Sequence, residues 1–329
     1  MRICIVGLGA IGTWLAARLS RASSVEVSCL VKPEALSRLR AEGLSLTSTH
    51  EGIETTERFH PRFFCDASQE VTPPDWVIIC TKSTALESVL HSIQALIGPQ
   101  THVLSTMNGV PWWFLNFAHS PYQSRVIEAV NPGGRIASMI AIEHWVGGVV
   151  HASCSAKRSG EATHHFGDEL IIGEPNRVES PRVKALQTLL SGVGFKARVS
   201  THIQFDIWYK LWGNMTINPV SALTGATTDK ILSDELVLKF VSDIMLEARA
   251  IGHALGIEIE QTPSDRHAVT AKLGSFKTSM LQDLEAGRPL ELNALVAAVK
   301  ELGSWVGVST PSMDVLLGLT RLKARVLGL

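Results

Sequence analysis

Short apolar runs alternate with stretches of helical periodicity through the first part of the chain. The apolar runs, each of strand length, are Ile3–Val6, Val25–Val31, Trp76–Cys80 and Val103–Met107. The intervening stretches, where apolar residues recur every three or four positions, are 14–19, 36–44 and 86–97. Strands that alternate with helices in this way predict a parallel sheet covered on both faces.

The pattern changes near residue 201. Before it lies a mixed region with a break at 131–134, a strand at Leu170–Ile172, a helix at Ser180–Leu190 and a strand at Lys196–Ser200. Beyond it, helical spacing persists over long stretches: Phe205–Ile217, Asp234–Leu255, Pro263–Leu284, Leu290–Val306 and Ser312–Leu327. We therefore predict an α/β protein with an N-terminal Rossmann-type parallel sheet in residues 1–200 and a C-terminal all-helical domain in residues 201–329.

Composition narrows the class of partner. Of the 329 residues, 45% are hydrophobic and 19% are charged, and the formal net charge is -1, so nothing favours nucleic acid or an anionic membrane. We find no apolar run of about 18 residues, and because a glycine motif begins within seven residues of Met1 we expect no signal peptide. Five cysteines without CxxC spacing fit a reducing cytoplasm, and twelve histidines without ligand spacing predict no metal site. We expect a cytoplasmic protein that binds a small molecule.

The first predicted strand leads into a glycine-rich turn. The turn reads Gly7-Leu8-Gly9-Ala10-Ile11-Gly12, a GxGxxG sequence that precedes a helical pattern. In a dinucleotide site the first glycine permits the tight turn, the second lets backbone amides approach a pyrophosphate, and the third lets helix and strand pack closely. An ordinary glycine-rich turn is the alternative, and the position between strand and helix favours a cofactor site.

The end of the second strand bears on the choice between NAD and NADP. An acidic residue there binds the ribose 2′-hydroxyl of NAD, whereas a cation accommodates the 2′-phosphate of NADP. The sequence is Leu30-Val31-Lys32-Pro33, and Glu34 comes only after the proline, which we expect to turn the chain away. Lys32 therefore favours NADP(H), with a merely solvated surface lysine as the alternative.

Two further strand ends carry polar side chains. Lys82 follows Cys80-Thr81, and Asn108 follows Met107. Because ligands of open α/β sheets bind at the carboxyl ends of strands, we expect Lys82 to contact the ribose or phosphate region of the cofactor. Asn108 could orient the nicotinamide or the substrate. A loop-capping lysine and an Asn-Gly turn are the alternatives.

A polar stripe crosses the first helix of the predicted helical domain. Lys210, Asn214 and Asn218 recur every fourth residue, so they project from one helical face among apolar neighbours. A lysine and two asparagines among apolar residues are too polar for a core and too embedded for a plain surface, so they indicate a binding or catalytic site. The alternative is a solvated stripe in which Asn218 ends the helix before Pro219.

Together these motifs resemble the ketopantoate reductase family over nearly the whole chain. Further matching residues are Ser279-Met280-Leu281-Gln282-Asp283 and Glu291. The resemblance implies a Rossmann domain and a helical domain that bind NADPH and a 2-oxo acid between them, in pantothenate biosynthesis. It implies Lys210 as the catalytic acid and Glu291 beside both the lysine and the cofactor. It also implies substrate contacts from Asn108, Asn214, Asn218 and Ser279.

The sequence departs from the family pattern in three places. Thr227-Thr228 stand where such reductases can present another substrate-binding asparagine, and Leu292-Asn293 follow Glu291 where an aspartate is common. The aromatics of Pro111-Trp112-Trp113-Phe114 either fill a core or reshape the pocket. The departures leave two substrates open: ketopantoate, or another 2-oxo acid reduced by a paralogous enzyme.

Two other expectations concern function and assembly. A non-enzymatic NADP-binding sensor on the same fold is an alternative, because fold does not fix function. Lys210 and Glu291 argue against it, since a sensor has no use for an acid at the hydride acceptor. Apolar faces of the helical domain could support a homodimer.

Overall fold

The structure is a computed structural model that describes residues 1–50, 53–69 and 72–329. Its strands are β1 (Arg2–Val6), β2 (Glu26–Leu30), β3 (Leu44–His50), β4 (Ile53–Phe59), β5 (Arg62–Phe64), β6 (Trp76–Ile79), β7 (His102–Ser105), β8 (Trp145–Arg158), β9 (Glu161–Gly173) and β10 (Lys196–Val199). Its α-helices are α1 (Ala10–Leu19), α2 (Pro33–Glu42), α3 (Leu86–Ile93), α4 (Arg135–Met139), α5 (Pro181–Gly192), α6 (Ile203–Thr224), α7 (Thr228–Ser233), α8 (Glu235–Ala254), α9 (Pro263–Ala271), α10 (Ser279–Glu285), α11 (Ala298–Trp305) and α12 (Pro311–Val326).

The described chain divides into two compact units. The first unit is built from residues 1–107, 115–123 and 135–203, and the second from 108–114, 124–134 and 204–329. Two short segments of the N-terminal half, one of them starting at Asn108, thus belong with the helices of the C-terminal half. The assignment of residues 1–200 to the cofactor and 201–329 to the substrate stays a prediction.

One sheet of ten strands organises the first unit, within the described residues. Its order is β4-β3-β9-β8-β7-β6-β1-β2-β5, and β10 also pairs with β9. The neighbouring strands β7, β6, β1 and β2 run parallel, as predicted, and β5, which the sequence did not predict, joins them in parallel at the edge. The sheet then continues through antiparallel pairs, β8 with β9 and β3 with β4, so the whole sheet is mixed. In the mixed region only Leu170–Ile172, at the end of β9, was predicted as a strand, because glycines and polar residues interrupt the apolar positions of β8 and of the rest of β9.

Helices on the sheet bury the core of the first unit. Trp14, Leu15 and Leu19 of α1 and Leu186 and Leu190 of α5 are buried in the same apolar cluster as the strands. Burial of such side chains contributes about 1.5–3 kcal/mol each. This core fixes the carboxyl end of β1, where the glycine motif begins.

Two boundaries in the first unit differ from the periodicity. Leu44 begins β3 instead of extending a helix, because Gly43 adopts φ +73° and ends α2 at Glu42. The predicted helix at 86–97 is α helix only to Ile93 and continues as a 3₁₀ turn over Gln94–Leu96. Helices commonly tighten in this way at their last turn.

The second unit is helical. Residues 204–329 are all described and contain helices and no strand, as predicted. Helix α8 contacts α7, α9, α11 and α12. The indole Nε1 of Trp212 in α6 donates to the carbonyl of Met245 in α8 at 2.7 Å, and both residues are buried. This hydrogen bond helps to hold helix α6 against α8.

Helix α6 passes through Pro219 and ends at Thr224. The predicted helix end at Ile217 and the alternative in which Asn218 ends the helix are therefore both wrong. Proline removes one backbone hydrogen bond, but the residues around it, including Ile217, Val220 and Ala222, are buried. Tertiary packing rather than local propensity maintains the helix at this point.

Two predicted helices of the second unit are divided or irregular. The stretch at 263–284 forms α9 and α10, because Gly274 adopts φ +61° and Thr278 caps the second helix through Leu281. The stretch at 290–306 opens with a π-helical turn over Asn293–Ala297 before α11. Such turns are frequent at functional sites.

Candidate active site

The three glycines of the first βα turn occupy three different environments. Gly7 adopts φ +92°, and a Cβ there would lie 2.6 Å from Cγ2 of Thr81. A Cβ on Gly12 would lie 1.9 Å from the carbonyl oxygen of Gly7. A Cβ on Gly9 would meet nothing within 4 Å, because Gly9 is exposed. A tight turn, an open approach and a close helix contact are the features of a dinucleotide loop.

The rest of this loop presents backbone amides. Ala10 and Ile11 form the first turn of α1, whose cap residue Gly9 supplies no side-chain hydrogen bond. The amides of a first helical turn have no partner within the helix, so they can bind an anion. The carbonyl of buried Leu8 accepts a hydrogen bond from the Gly160 amide at 2.9 Å, which fixes the loop to the β8–β9 turn.

Two lysines flank the loop at the carboxyl edge of the sheet. Val6 at the end of β1 pairs with Leu30 of β2 on one side and Ile79 of β6 on the other. Lys32 follows β2 and is exposed, and Lys82 follows β6 and is half-buried. Both precede helical turns, which places their charges beside the strand that carries the glycines.

Sequence reasoning missed Thr81, which stands between Cys80 and Lys82. Its hydroxyl is buried and has no hydrogen-bond partner among the described residues, while its methyl group contacts the Gly7 turn. Its position directly after β6 is the signal that could have identified it.

A lysine-centred cluster lies in the second unit. Nζ of Lys210 in α6 donates to Oδ1 of Asn108 at 2.7 Å. Lys210 is half-buried as a residue, and loss of water around the ammonium lowers its pKa from 10.5 to about 8, while the charge of Glu291 opposes this shift. The ammonium is thus held near the pKa that suits a proton donor at neutral pH.

Asn108 and Glu291 belong to segments that touch each other. The amide of Val110 donates to the carbonyl of Ala294 at 2.9 Å. Gly109 adopts φ +89°, and a Cβ there would lie 2.6 Å from the same carbonyl oxygen. Glu291 is only 4% exposed and lies two residues before the π-helical turn that contains Ala294. Glycine at 109 therefore permits the backbone approach that brings Asn108 to the lysine.

A second polar pair lies further along α6. Nδ2 of buried Asn218 donates to Oγ of Ser279 at 3.5 Å. Ser279 is exposed and is the first residue of α10. Half-buried Asn214 lies between Lys210 and Asn218 on the same helical face. The structure thus brings Lys210 together with Asn108 and Glu291, and brings Asn218 together with Ser279.

Two of the three departures from the family pattern have structural explanations. The hydroxyl of buried Thr228 donates to the carbonyl of Gly274 at 2.6 Å and accepts from the amide of Phe276 at 3.2 Å. Trp113 and Phe114 are buried, and the Phe114 ring stacks on Trp208 at 5.6 Å between centroids. Thr228 therefore secures a loop, and these two aromatics fill a core.

The described residues offer neither a metal site nor a membrane-spanning helix. Across residues 1–50, 53–69 and 72–329, we found no group of three or more His, Cys, Asp or Glu side chains that could hold a metal ion. None of the helices in these ranges has both the length and the apolarity needed to cross a membrane.

The glycine loop on a Rossmann-type sheet and the lysine-centred cluster on a helical unit are those of a pyridine nucleotide-dependent oxidoreductase. More particularly, the chain belongs to the ketopantoate reductase family. The family model described as ketopantoate reductase PanE/ApbA matches residues 3–177, and the model of its C-terminal part matches residues 202–324.

Individual relatives agree with this membership. The chain is 38% identical to the 2-dehydropantoate 2-reductase of Mesorhizobium japonicum, with 98% of this chain and 97% of the relative covered. It is similar to a structure from Ralstonia solanacearum, provisionally named a ketopantoate reductase, at 48% identity and a TM-score of 0.93 over 100% and 99% of the two chains. A D-mandelate dehydrogenase solved with NADH and anilino(oxo)acetate shares the fold, at 23% identity and a TM-score of 0.84 over both whole chains.

Proposed function

We propose that this protein reduces ketopantoate (2-dehydropantoate) to pantoate with NADPH, with Lys210 as the proton donor. The observation that carries the proposal is the Lys210 ammonium, which is hydrogen-bonded to Asn108, influenced by the charge of Glu291, and lowered in pKa to about 8. Membership of the ketopantoate reductase family supports the choice of substrate. The reaction would serve pantothenate and coenzyme A synthesis in the cytoplasm.

The lysine performs two tasks in this proposal. As the carbonyl carbon accepts hydride, negative charge grows on the ketone oxygen, and the ammonium stabilises that charge by a hydrogen bond. The same N–H then supplies the proton that completes the hydroxyl group, leaving a neutral amine. Glu291 favours the charged amine before reaction, and Asn108 orients it by accepting one of its hydrogens.

The first unit would hold the cofactor. NADPH, when bound, supplies the hydride. The Gly7–Gly12 turn and the first amides of α1 fit a pyrophosphate, because the surface above Gly9 is open and the turn beneath it is closely packed. Lys32 would pair with the 2′-phosphate of NADPH, and Lys82 would contact the ribose or phosphate region from the opposite side of β1.

The remaining polar residues would bind the substrate. Asn214 and Asn218 can hydrogen-bond a hydroxyl or a carboxylate, and the exposed hydroxyl of Ser279 can donate to a carboxylate oxygen. Asn218 and Ser279 already share a hydrogen bond, so one oxygen acceptor could engage both. Asn108 and Glu291 would also contact the cofactor from the second unit.

A paralogous reductase of another 2-oxo acid is the second candidate. The similarity of fold to a D-mandelate dehydrogenase, solved with NADH and anilino(oxo)acetate, favours it. So does Thr228, whose hydroxyl is occupied by the 274–276 loop where related reductases can present an asparagine to substrate. In this candidate the lysine chemistry is the same and only the pocket differs.

A homodimer is part of the proposal. A related ketopantoate reductase of Staphylococcus aureus is described as dimeric. Apolar side chains of α12, including Val315, Leu319 and Leu322, are about half exposed.

Steady-state rates with purified protein test the proposal. NADPH oxidation should be fast with ketopantoate and slow with a panel of other 2-oxo acids, and NADH should be a poor substitute. If the protein reduced another 2-oxo acid and not ketopantoate, the paralogous reductase would be the correct function. Binding of NADPH with no turnover of any 2-oxo acid would favour the sensor.

A further inference from the structure

Arg266 of α9 lies against the helix that carries Lys210. If Gly213 of α6 had a Cβ, Nη2 of Arg266 would be 2.7 Å from it and Nε would be 2.8 Å away. The guanidinium carbon lies 5.4 Å from the ring centroid of Tyr209, which precedes Lys210. The arginine thus occupies a surface of α6 immediately beside the proposed catalytic residues.

The guanidinium has no polar partner within the described part of the chain. Its Nε is buried without a hydrogen-bond acceptor, and no ion pair joins it to a carboxylate. The adjacent Asp265 is committed elsewhere, because its carboxylate accepts from the backbone and the hydroxyl of Thr262 at 2.8 and 2.7 Å. Burial lowers the pKa of Arg266, so its positive charge is partly desolvated and uncompensated.

Gly213 leaves space for the Arg266 guanidinium, and this glycine lowers the stability of helix α6. Glycine in the middle of a helix is less stable than alanine by about 1 kcal/mol. Gly213 is nevertheless buried inside the 22-residue α6, and even a methyl group there would collide with the guanidinium. The sequence therefore gives up helix stability at the one position that admits Arg266.

The aromatic contact leaves the donors of Arg266 available. Tyr209 stacks on Phe205 with centroids 6.1 Å apart and ring planes 14° apart, so the two rings are nearly parallel. A guanidinium attracted to a ring can still direct its N–H groups toward an acceptor in its own plane. A carboxylate is the acceptor that this planar fork matches, through two parallel hydrogen bonds.

The position relative to Lys210 identifies the ligand. Gly213 is three residues from Lys210, and side chains at that spacing have Cβ atoms about 5–6 Å apart on a helix. We propose that Arg266 binds a carboxylate of the 2-oxo acid whose keto group meets Lys210. This inference rests on the proposed function. The carboxylate is either the one beside the keto group or a second one at the far end of the substrate.

Calorimetric titration of the NADP⁺-loaded protein distinguishes the carboxylate beside the keto group from a distal carboxylate, and it does so without turnover. The probes are 2-oxoisovalerate with one carboxylate, its uncharged methyl ester, and 2-oxoglutarate with two carboxylates. In Arg266→Gln we expect the Kd of a carboxylate held by Arg266 to rise roughly 10- to 100-fold, with the ester unaffected. A rise for both acids identifies the carboxylate beside the keto group, and a rise for 2-oxoglutarate alone identifies the distal one.

Two further variants control for structure. Arg321→Gln removes an exposed arginine of α12 and should leave every Kd unchanged. Gly213→Ala keeps Arg266 but displaces it, and should weaken acid binding without weakening ester binding. If Arg266→Gln bound both acids as the wild type does, or weakened acid and ester equally, or if the wild type bound neither acid, the proposal would be overturned.

The same titration distinguishes this inference from the proposed function. If the protein bound 2-oxo acids through Arg266 but reduced none of them, the carboxylate site would be supported and the proposed reductase function would be wrong. Rapid reduction of ketopantoate by the wild type, with unchanged Kd values in Arg266→Gln, would support the reductase and reject the carboxylate site at Arg266.

Discussion

The ammonium of Lys210 donates to the side-chain oxygen of Asn108 at 2.7 Å, although the two residues are 102 positions apart in sequence. One is on the helix α6, and the other is on a short segment that follows a strand of the first unit but packs with the helical unit. The contact orients the amine, and in the proposed reaction another of its hydrogens would reach the ketone oxygen.

The reduction rate should depend on the charge of Lys210. Burial lowers the pKa of Lys210 to about 8, and only the protonated amine can donate. We therefore expect kcat for 2-oxo acid reduction to be constant below this pKa and to fall as pH rises through it. Because Glu291 raises the pKa of Lys210, Glu291→Gln should move the falling limb to lower pH. The pH dependence of kcat, measured for the wild type and for Glu291→Gln, tests both expectations. If kcat fell over the same pH range in the two proteins, Glu291 would not influence the pKa of Lys210.

Gly109→Ala should impair catalysis more than it impairs folding. The new methyl group would meet the Ala294 carbonyl at 2.6 Å and displace Asn108 from Lys210. We expect kcat to fall roughly 10- to 100-fold, because small misplacements in a catalytic site have effects of this size. The matched control is Gly133→Ala, where φ is +60° and nothing lies within 4 Å, so it should cost about 1 kcal/mol of stability and leave kcat unchanged. Equal kcat values for the two variants would refute this role of Gly109.

Gly9→Ala and Gly12→Ala should separate cofactor binding from folding. Gly9 has φ -75° and open space above it, so alanine should leave the melting temperature of the cofactor-free protein unchanged while raising the Kd for NADPH. Gly12→Ala places a methyl group 1.9 Å from the Gly7 carbonyl, so it should lower the melting temperature as well. Thermal denaturation and NADPH titration test the pair. Normal NADPH affinity in Gly9→Ala would exclude the loop as the pyrophosphate site.

Lys32→Ala should reduce the preference for NADPH. Lys32 is exposed at the start of α2, with no acid at the tip of β2, so its charge is suited to a 2′-phosphate. Removing one charge-assisted contact should raise the Kd for NADPH about 10-fold and leave that for NADH unchanged. Equal effects on the two cofactors would show that Lys32 does not read the phosphate.

The sequence predicted the elements whose structure depends on residues close together in the chain. The glycine spacing identified the β1–α1 turn, and helical periodicity identified α6 and its polar stripe. The predicted helix Phe205–Ile217 stopped before Pro219, whereas α6 continues to Thr224, because the burial that stabilises this part of the helix is tertiary. Of the antiparallel strands β8 and β9, only Leu170–Ile172 at the end of β9 was predicted, because glycines and polar residues interrupt the apolar positions elsewhere in the pair.

The candidate site shows the same division between local and distant information. The fourth-residue spacing placed Lys210, Asn214 and Asn218 on one face. Periodicity could not show that Gly109 approaches Ala294, or that Gly213 makes room for Arg266, because both depend on how separate segments pack. Glu291 and Ser279 came from the family resemblance and not from any pattern around them.

The most direct test of the central claim is the single-turnover rate of NADPH oxidation by ketopantoate in the wild type and in Lys210→Ala. Removal of a positioned proton donor should slow this step about 10²- to 10⁴-fold, with the melting temperature and the NADPH Kd checked on the same samples. A large loss of rate with intact cofactor binding is the predicted result. An unchanged rate in Lys210→Ala would contradict the account.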